Sequence, residues 1–176
     1  RRVLLPEVEP RYAGYVAWRG TVVEHDLSAA AGEALLGAIV YHLVPHGHFL
    51  AYPIPNVDGS VEPGRRLTNW LWYRNVAEGE DLDALMTDRG GVRRPVSLAP
   101  GAVAPPRLEE LRAAAAAELP PPVAELVAVT AEPFVQVVFD IEVPRMAFGR
   151  ACLLGDAAFA LRPHAAVGSA KAAEDA

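Results

Sequence analysis

Cysteine is nearly absent: Cys152 is the one thiol in 176 residues. A single cysteine permits no internal disulfide, which fits a reducing cytoplasm. Basic charge is also short. Lys and Arg number 16 against 22 Asp and Glu, a net charge of −6, whereas a nucleic-acid surface is normally basic. No apolar run approaches the roughly 18 to 20 residues that cross a bilayer. The opening Arg1-Arg2-Val3-Leu4-Leu5-Pro6 has neither the apolar core nor the cleavage site of a signal peptide. The expectations are no nucleic acid, no membrane and a cytoplasmic location. An initiator Met is lacking too, which suggests a piece of something longer. No His/Cys/Asp cluster has metal-ligand spacing, so no metal is expected. No Gly-x-Ser-x-Gly elbow occurs, and one Cys without a partner motif is weak evidence for a nucleophile.

What is present reads as globular. Hydrophobic residues make up 52% and charged residues 22%, enough for one domain with a core, or one domain plus a piece of another. Tyr12 to Val23 is aromatic and β-branched and predicts a strand. Ser28 to Gly37 predicts a short helix capped by Ser28. Ala38 to Leu43 and His48 to Ile54 predict a hairpin around Val44-Pro45-His46-Gly47, and Asn56 to Ser60 a second turn. Arg66 to Val76 predicts another strand. Asp81 is read as the cap of a short helix through Met86, and Val92 to Pro106 as extended segments and loop. Arg107 to Leu119 is the clearest helix, opened by Pro106 and stopped by Pro120. A second short helix follows from Val123 to Val129, so Pro120-Pro121-Pro122 reads as a tight corner and not a linker. Phe134 to Ile141 and Arg150 to Leu154 predict the last strands. Cys152 lies inside the second of these and is expected to be buried. No internal repeat occurs.

After that apolar run comes Gly155-Asp156. An Asp at a strand's C-terminal end can face a ligand crevice; it can equally be a solvated turn residue. The following sequence favours a ligand. Pro163 fixes the chain direction, and Ala165 to Gly168 lead into a predicted helix of small residues, Ser169 to Ala176. A helix start offers free N–H groups and partial positive charge, and small side chains admit a flat ligand.

Gly155-Asp156-Ala157-Ala158, Pro163, Gly168 and Glu174-Asp175-Ala176 together resemble the second flavin-binding motif of FAD-dependent aromatic hydroxylases, the class A flavoprotein monooxygenases. The stretches YAGYVAWRGTV, GHFLAYPIPN, RRLTNWLWYRNV and VPRMAFGRACLLGDAAFALRPHAAVGSAKAAEDA resemble the 2,6-dihydroxypyridine 3-monooxygenase-like branch of that family. Phe159, where a His often stands, and Arg162-Pro163-His164 point to that branch. The resemblance implies that Gly155, Asp156, Pro163, Ala166, Val167 and Gly168 bind FAD, with Asp156 on the ribityl hydroxyls. It implies hydroxylation of an electron-rich ring of the hydroxypyridine or phenol type, with NAD(P)H as transient reductant, through a flavin C4a-hydroperoxide. No Gly-x-Gly-x-x-Gly follows a strand, and the family's middle Asp-Gly motif is lacking. The chain therefore resembles a middle segment, expected to be inactive alone.

The fold class expected is α+β: a mixed, mostly antiparallel substrate-binding sheet over residues 1–148, with helices on one face. Residues 149–176 are expected to be the strand, turn and helix start of a Rossmann-like FAD domain. The small aromatic substrate is expected on the sheet. Alternation puts His48, Leu50 and Tyr52 on one face of their strand and Asn69, Leu71 and Tyr73 on one face of theirs. His48, Tyr52, Asn69 and Tyr73 are the candidate polar contacts, although each aromatic also suits a core position. His164, beside Pro163, is a fifth candidate or an exposed loop residue. A homodimer is left open. The other function class compatible with these residues is a non-catalytic aromatic-binding module or remnant of the same fold.

Overall fold

β-branched and aromatic side chains dominate the segments that form strands. The computed structural model describes residues 1–35, 37–163 and 168–176. In chain order the elements are β1 (Arg11–Val23), α1 (Ala29–Leu35), β2 (Val40–Val44), β3 (Gly47–Ile54), β4 (Leu67–Asn75), α2 (Glu80–Leu85), β5 (Ser97–Leu98), α3 (Pro105–Glu118), α4 (Pro121–Val129), β6 (Phe134–Glu142), β7 (Ala147–Phe148), β8 (Ala151–Cys152), β9 (Phe159–Ala160) and α5 (Gly168–Glu174). The α+β class and the mostly antiparallel sheet expected from the sequence are both present. Two compact units make up the chain: Arg1–Gly14 with Val138–Ala176, and Tyr15–Val137. The division expected at 148/149 follows motifs, whereas these units follow packing.

In the larger unit the strands lie in the order β2-β3-β4-β1-β6-β5. The pairings β2-β3, β3-β4, β4-β1 and β5-β6 are antiparallel. β4 pairs on both sides, and its register decides what each face carries. Trp70 and Trp72 share a face with Trp18 of β1 and with Phe49 and Ala51 of β3. Phe49 stacks on Trp70 with ring centroids 5.5 Å apart, and both Trp70 and Trp72 are fully buried.

The helices cover this face. Thr130, at the end of α4, accepts a hydrogen bond from Trp70 Nε1 at 2.8 Å. α1 and α3 pack against α4. Ser28 caps α1 as predicted: its Oγ accepts the Ala31 N–H at 3.2 Å. Glu125 of α4 in turn accepts from the Ser28 N–H at 2.6 Å and its hydroxyl at 2.7 Å. The prolines behave as read, with Pro105 and Pro106 in the first turn of α3 and Pro120 the cap of α4. Asp81 does not cap α2. Gly79, at φ 97°, takes that place, because glycine reaches this backbone conformation without strain. Asp81 instead sits in the first turn with Glu80 and Asp83, where acidic groups complement the helix dipole.

The smaller unit has its own cluster, with Leu5, Leu153 and Ala158 buried against Leu4, Val8, Val143, Met146 and Phe148. The strand expected over Arg150 to Leu154 shrinks to the two residues of β8, which pair with β7 across a turn at Gly149. Period-2 alternation sends Leu153 into the cluster and leaves its neighbours outside. Cys152 is therefore exposed, which corrects the expectation of a buried thiol.

Gly20 of β1 lies beneath the Trp70–Thr130 contact. A Cβ there would stand 2.7 Å from Thr130 Cγ2 and 2.7 Å from Trp70 Nε1. Gly20→Ala should overpack this point and destabilise the protein by about 1–3 kcal/mol. Urea denaturation followed by circular dichroism measures it; an unchanged midpoint would show that Trp70 yields freely.

Candidate functional site

The opposite face of the larger unit's sheet carries the predicted polar residues. His48 pairs directly with Tyr73 and Tyr52 directly with Asn69. Directly paired side chains project to the same side, so the structure brings all four together. The His48 and Tyr73 rings lie 4.6 Å apart. Tyr15 meets Tyr73 edge-on at 5.9 Å, and Tyr41 lies 6.3 Å from His48. Leu50 and Leu71 pair on this face, and Ala17 lies opposite Tyr73. The result is an aromatic and apolar face with interspersed polar groups, buried at Ala17, Asn69, Leu71 and Tyr73 and half-buried at His48, Leu50 and Tyr52, the composition that suits a flat ring.

Tyr15, Arg19 and Tyr41 belong to this face and were not singled out from the sequence. Strand alternation along Tyr15-Val16-Ala17-Trp18-Arg19 carried the signal, because it sets the odd positions against Trp18. Arg19 reaches toward β6: its Nη1 donates to Gln136 Oε1 at 2.9 Å, and its guanidinium lies 5.5 Å over the Phe134 ring. A separate cavity of about 280 Å³ opens on the helix side, lined by Trp18, Arg74, Asp81, Arg107, Glu110 and Leu111 among others. None of His48, Tyr52, Asn69 and Tyr73 lines it.

The Gly-Asp motif lies in the smaller unit. Gly155 to Ala157 form a single 3-10 turn. Gly155 is glycine for two reasons: its φ is +54°, and a Cβ would stand 3.1 Å from Ala172 Cβ of α5. Its N–H donates to Asp175 Oδ2 at 3.1 Å. Asp175 also accepts from Lys171, one helical turn earlier. The Lys171 ammonium, first, and then the Gly155 N–H hold the Asp175 carboxyl below its usual range. Asp156 is exposed, and no described residue bonds to its carboxylate. It is thus open to hydroxyl donors from outside the chain.

β9 pairs with the end of β6, Ala160 opposite Ile141 and Phe159 opposite Glu142. Arg162 then grips Asp140 of β6 with two hydrogen bonds, 2.8 and 2.6 Å. That bond, first among its causes, lowers the Asp140 carboxyl pKa. Pro163 follows directly, exposed, and Gly168 opens α5. His164, Ala166 and Val167 lie outside the described residues. Of the two carboxylates that fasten this loop, Asp175 stands in the Glu174-Asp175-Ala176 stretch of the motif and its four-residue spacing from Lys171 signalled the pair, whereas Asp140 was not among the residues singled out. Among the described residues no group of three or more His, Cys, Asp or Glu is arranged to hold a metal. No helix among them is long and apolar enough to cross a membrane.

Tyr73 offers a direct test of the aromatic face. Burial, first, and then the Tyr15 phenol push its hydroxyl up to about 12, with Arg19 pulling the other way and Tyr52 and Tyr41 adding to the rise. The folded value lies above the unfolded one of about 10. Its contribution to stability is therefore whole below pH 10 and is lost as pH rises toward 12. Melting temperature should fall across that window in the wild type and fall less steeply in Tyr73→Phe. Equal slopes would mean that Tyr73 ionises as a solvated phenol does.

A family model described as FAD binding domain-like matches residues 12–140. The 2,6-dihydroxypyridine 3-monooxygenase of Paenarthrobacter nicotinovorans is 44% identical over 169 residues, 96% of this chain and 42% of that protein. The solved 2,6-dihydroxypyridine-3-hydroxylase of Arthrobacter nicotinovorans superposes with a TM-score of 0.88 at 41% identity, over 98% of this chain and 43% of the other. A lower likeness in fold alone extends to pqsL, a probable FAD-dependent monooxygenase from Pseudomonas aeruginosa. Its TM-score is 0.56 at 21% identity, over 99% of this chain and 39% of the other. The chain thus spans well under half the length of these relatives. With the family match running from β1 into β6, through every strand of the aromatic face, the chain belongs to the FAD binding domain-like family.

Proposed function

We propose that this chain is a segment of a flavin-dependent monooxygenase that hydroxylates an electron-rich ring of the hydroxypyridine or phenol type, using FAD, NAD(P)H and O2. The observation that carries the reading is the 44% identity to a 2,6-dihydroxypyridine 3-monooxygenase along 96% of the chain, from the sheet through the Gly-Asp motif. In this reading residues 1–148 serve the aromatic substrate and residues 149–176 the flavin. The exposed single thiol, Cys152, supports a reducing, cytoplasmic setting.

The residues present fit FAD. Gly155, Asp156, Pro163, Ala166, Val167 and Gly168 are the proposed binding set. The open Asp156 carboxylate suits a polyol chain, since it can accept from more than one hydroxyl. The Asp140–Arg162 pair and the Asp175–Gly155 bond fix the backbone on either side of Pro163. FAD, when bound, supplies the redox chemistry that activates O2. The chain's own work is to hold the ring and keep water away. His48, Tyr52, Asn69 and Tyr73, with His164, are the proposed substrate contacts. Leu50, Leu71 and Ala17 supply the apolar wall that excludes water. Tyr73 keeps its proton through the physiological range and so donates a hydrogen bond without ionising.

Two measurements test this reading. In the full-length parent, Asp156→Ala should weaken FAD binding roughly 10- to 100-fold, as expected for losing one hydrogen bond to a charged group of about 1.5–3 kcal/mol. The apo forms of wild type and variant should melt alike, because an exposed side chain leaves no cavity. Equal FAD affinity would reduce Asp156 to a turn residue. Separately, the full-length parent loaded with FAD should oxidise NAD(P)H faster when a hydroxypyridine or phenol is added. If no such compound stimulates oxidation with flavin fully bound, the substrate class is wrong.

A further inference from the structure

The aromatic sheet face holds N–H donors that the described residues leave unsatisfied. Asn69 is 7% exposed, and its buried Nδ2 has no hydrogen-bond partner. Thr21 and Tyr52 stand on either side of it in register. Arg19 is its diagonal neighbour, opposite Leu71 and so two residues along β4. Gln136 occupies Arg19 Nη1, but Nε is buried without an acceptor. Neither atom is satisfied by its own fold, although buried N–H groups are nearly always paired.

On the part of this face that β1, β2, β3 and β4 build, the charge has one sign. No residue that β1, β2, β3 and β4 place on it in register is Asp or Glu, and Arg19 is the single Lys or Arg there. An amide N–H and a guanidinium N–H can only donate. A ligand that completes them must bring acceptors, and a carbonyl-like or charged oxygen serves a cation best. A hydroxyl group would leave its own proton to be placed elsewhere.

We propose that Asn69 Nδ2–H and Arg19 Nε–H are the specificity determinants of the ring site, selecting an aromatic ring that presents an oxo oxygen, as a pyridone does, over one that lacks it. The proposal rests on reading this face as the substrate site. Its physical core is that a ring without the oxygen leaves both donors buried and unpaired, and so binds without recovering their lost hydration. Tyr73, which keeps its proton, adds a further donor on the same strand face and no competing negative charge.

The test is calorimetric titration of the intact, FAD-loaded protein with 2-hydroxypyridine, which in water is chiefly the pyridone, and with benzene, which has no lone pair to accept from either donor. Wild type should prefer 2-hydroxypyridine. Asn69→Leu should shrink that preference roughly tenfold or more, equivalent to about 1.4 kcal/mol, by weakening 2-hydroxypyridine and not benzene. Its melting temperature should hold or rise, because a buried amide without a partner has been removed; a merely structural Asn69 would instead lower the melting temperature and weaken both ligands alike. Arg19→Met, which keeps an apolar stem against Phe134, should shrink the preference in the same direction. If wild type prefers 2-hydroxypyridine and both variants keep the full preference, the proposal is overturned while the substrate face stands. If wild type binds neither ring, the reading of the face falls and the proposal with it.

Discussion

The two-sided pairing of β4 is the constraint on which the rest depends. Its neighbours β1 and β3 both hold it antiparallel, in registers that agree with each other. Side chains alternate with a period of two, so the same nine residues build a helix-bearing core on one side and the aromatic face on the other. A slip of one residue would exchange Trp70 and Trp72 for Asn69, Leu71 and Tyr73. That would put an amide and a phenol beneath the helices and take both indoles away from them. The Trp70–Thr130 hydrogen bond and the bare Gly20 beneath it are fitted to one register only. Packing on one face thereby sets chemistry on the other.

The Gly-Asp loop is held in a different way. Its backbone is fastened by Arg162 on Asp140 and by Asp175 on Gly155, with the ladder between β9 and β6 alongside. Among the described residues its apolar support comes from the small cluster around Leu153 and Ala158. Charged fastenings specify direction where burial alone would not, and they leave Asp156 and Pro163 exposed. Exposed ion pairs contribute little stability singly; the two-point grip of Arg162 gives geometry more than energy.

The sheet was readable because its strands are strongly β by residue type and strictly alternating, which placed His48 with Tyr52 and Asn69 with Tyr73 on common faces from the sequence alone. The α3–α4 corner was readable because proline cannot continue a helix. Three features were not. Cys152 looked buried because apolar neighbours were read as one strand, whereas β8 is two residues long. Gly79 displaced Asp81 as a cap because backbone freedom, not side-chain chemistry, decided that end. Arg19 and Asp140 act across long sequence separations, and pairwise contacts of that kind leave no trace in a single sequence. The motif residues Gly155 and Asp156 were legible as a pair; the reason for Gly155, its closeness to Ala172, required the fold.

The three tryptophans of the chain, Trp18, Trp70 and Trp72, all lie on the helix side of the sheet. The face with His48, Asn69 and Tyr73 carries tyrosines and no indole. The two surfaces are consequently separate optical channels. Tryptophan emission reports how well the helices sit on the sheet, whereas events on the aromatic face register first in tyrosine absorbance. Loosening of the core and occupation of the ring site can therefore be followed side by side in one sample, with no label attached.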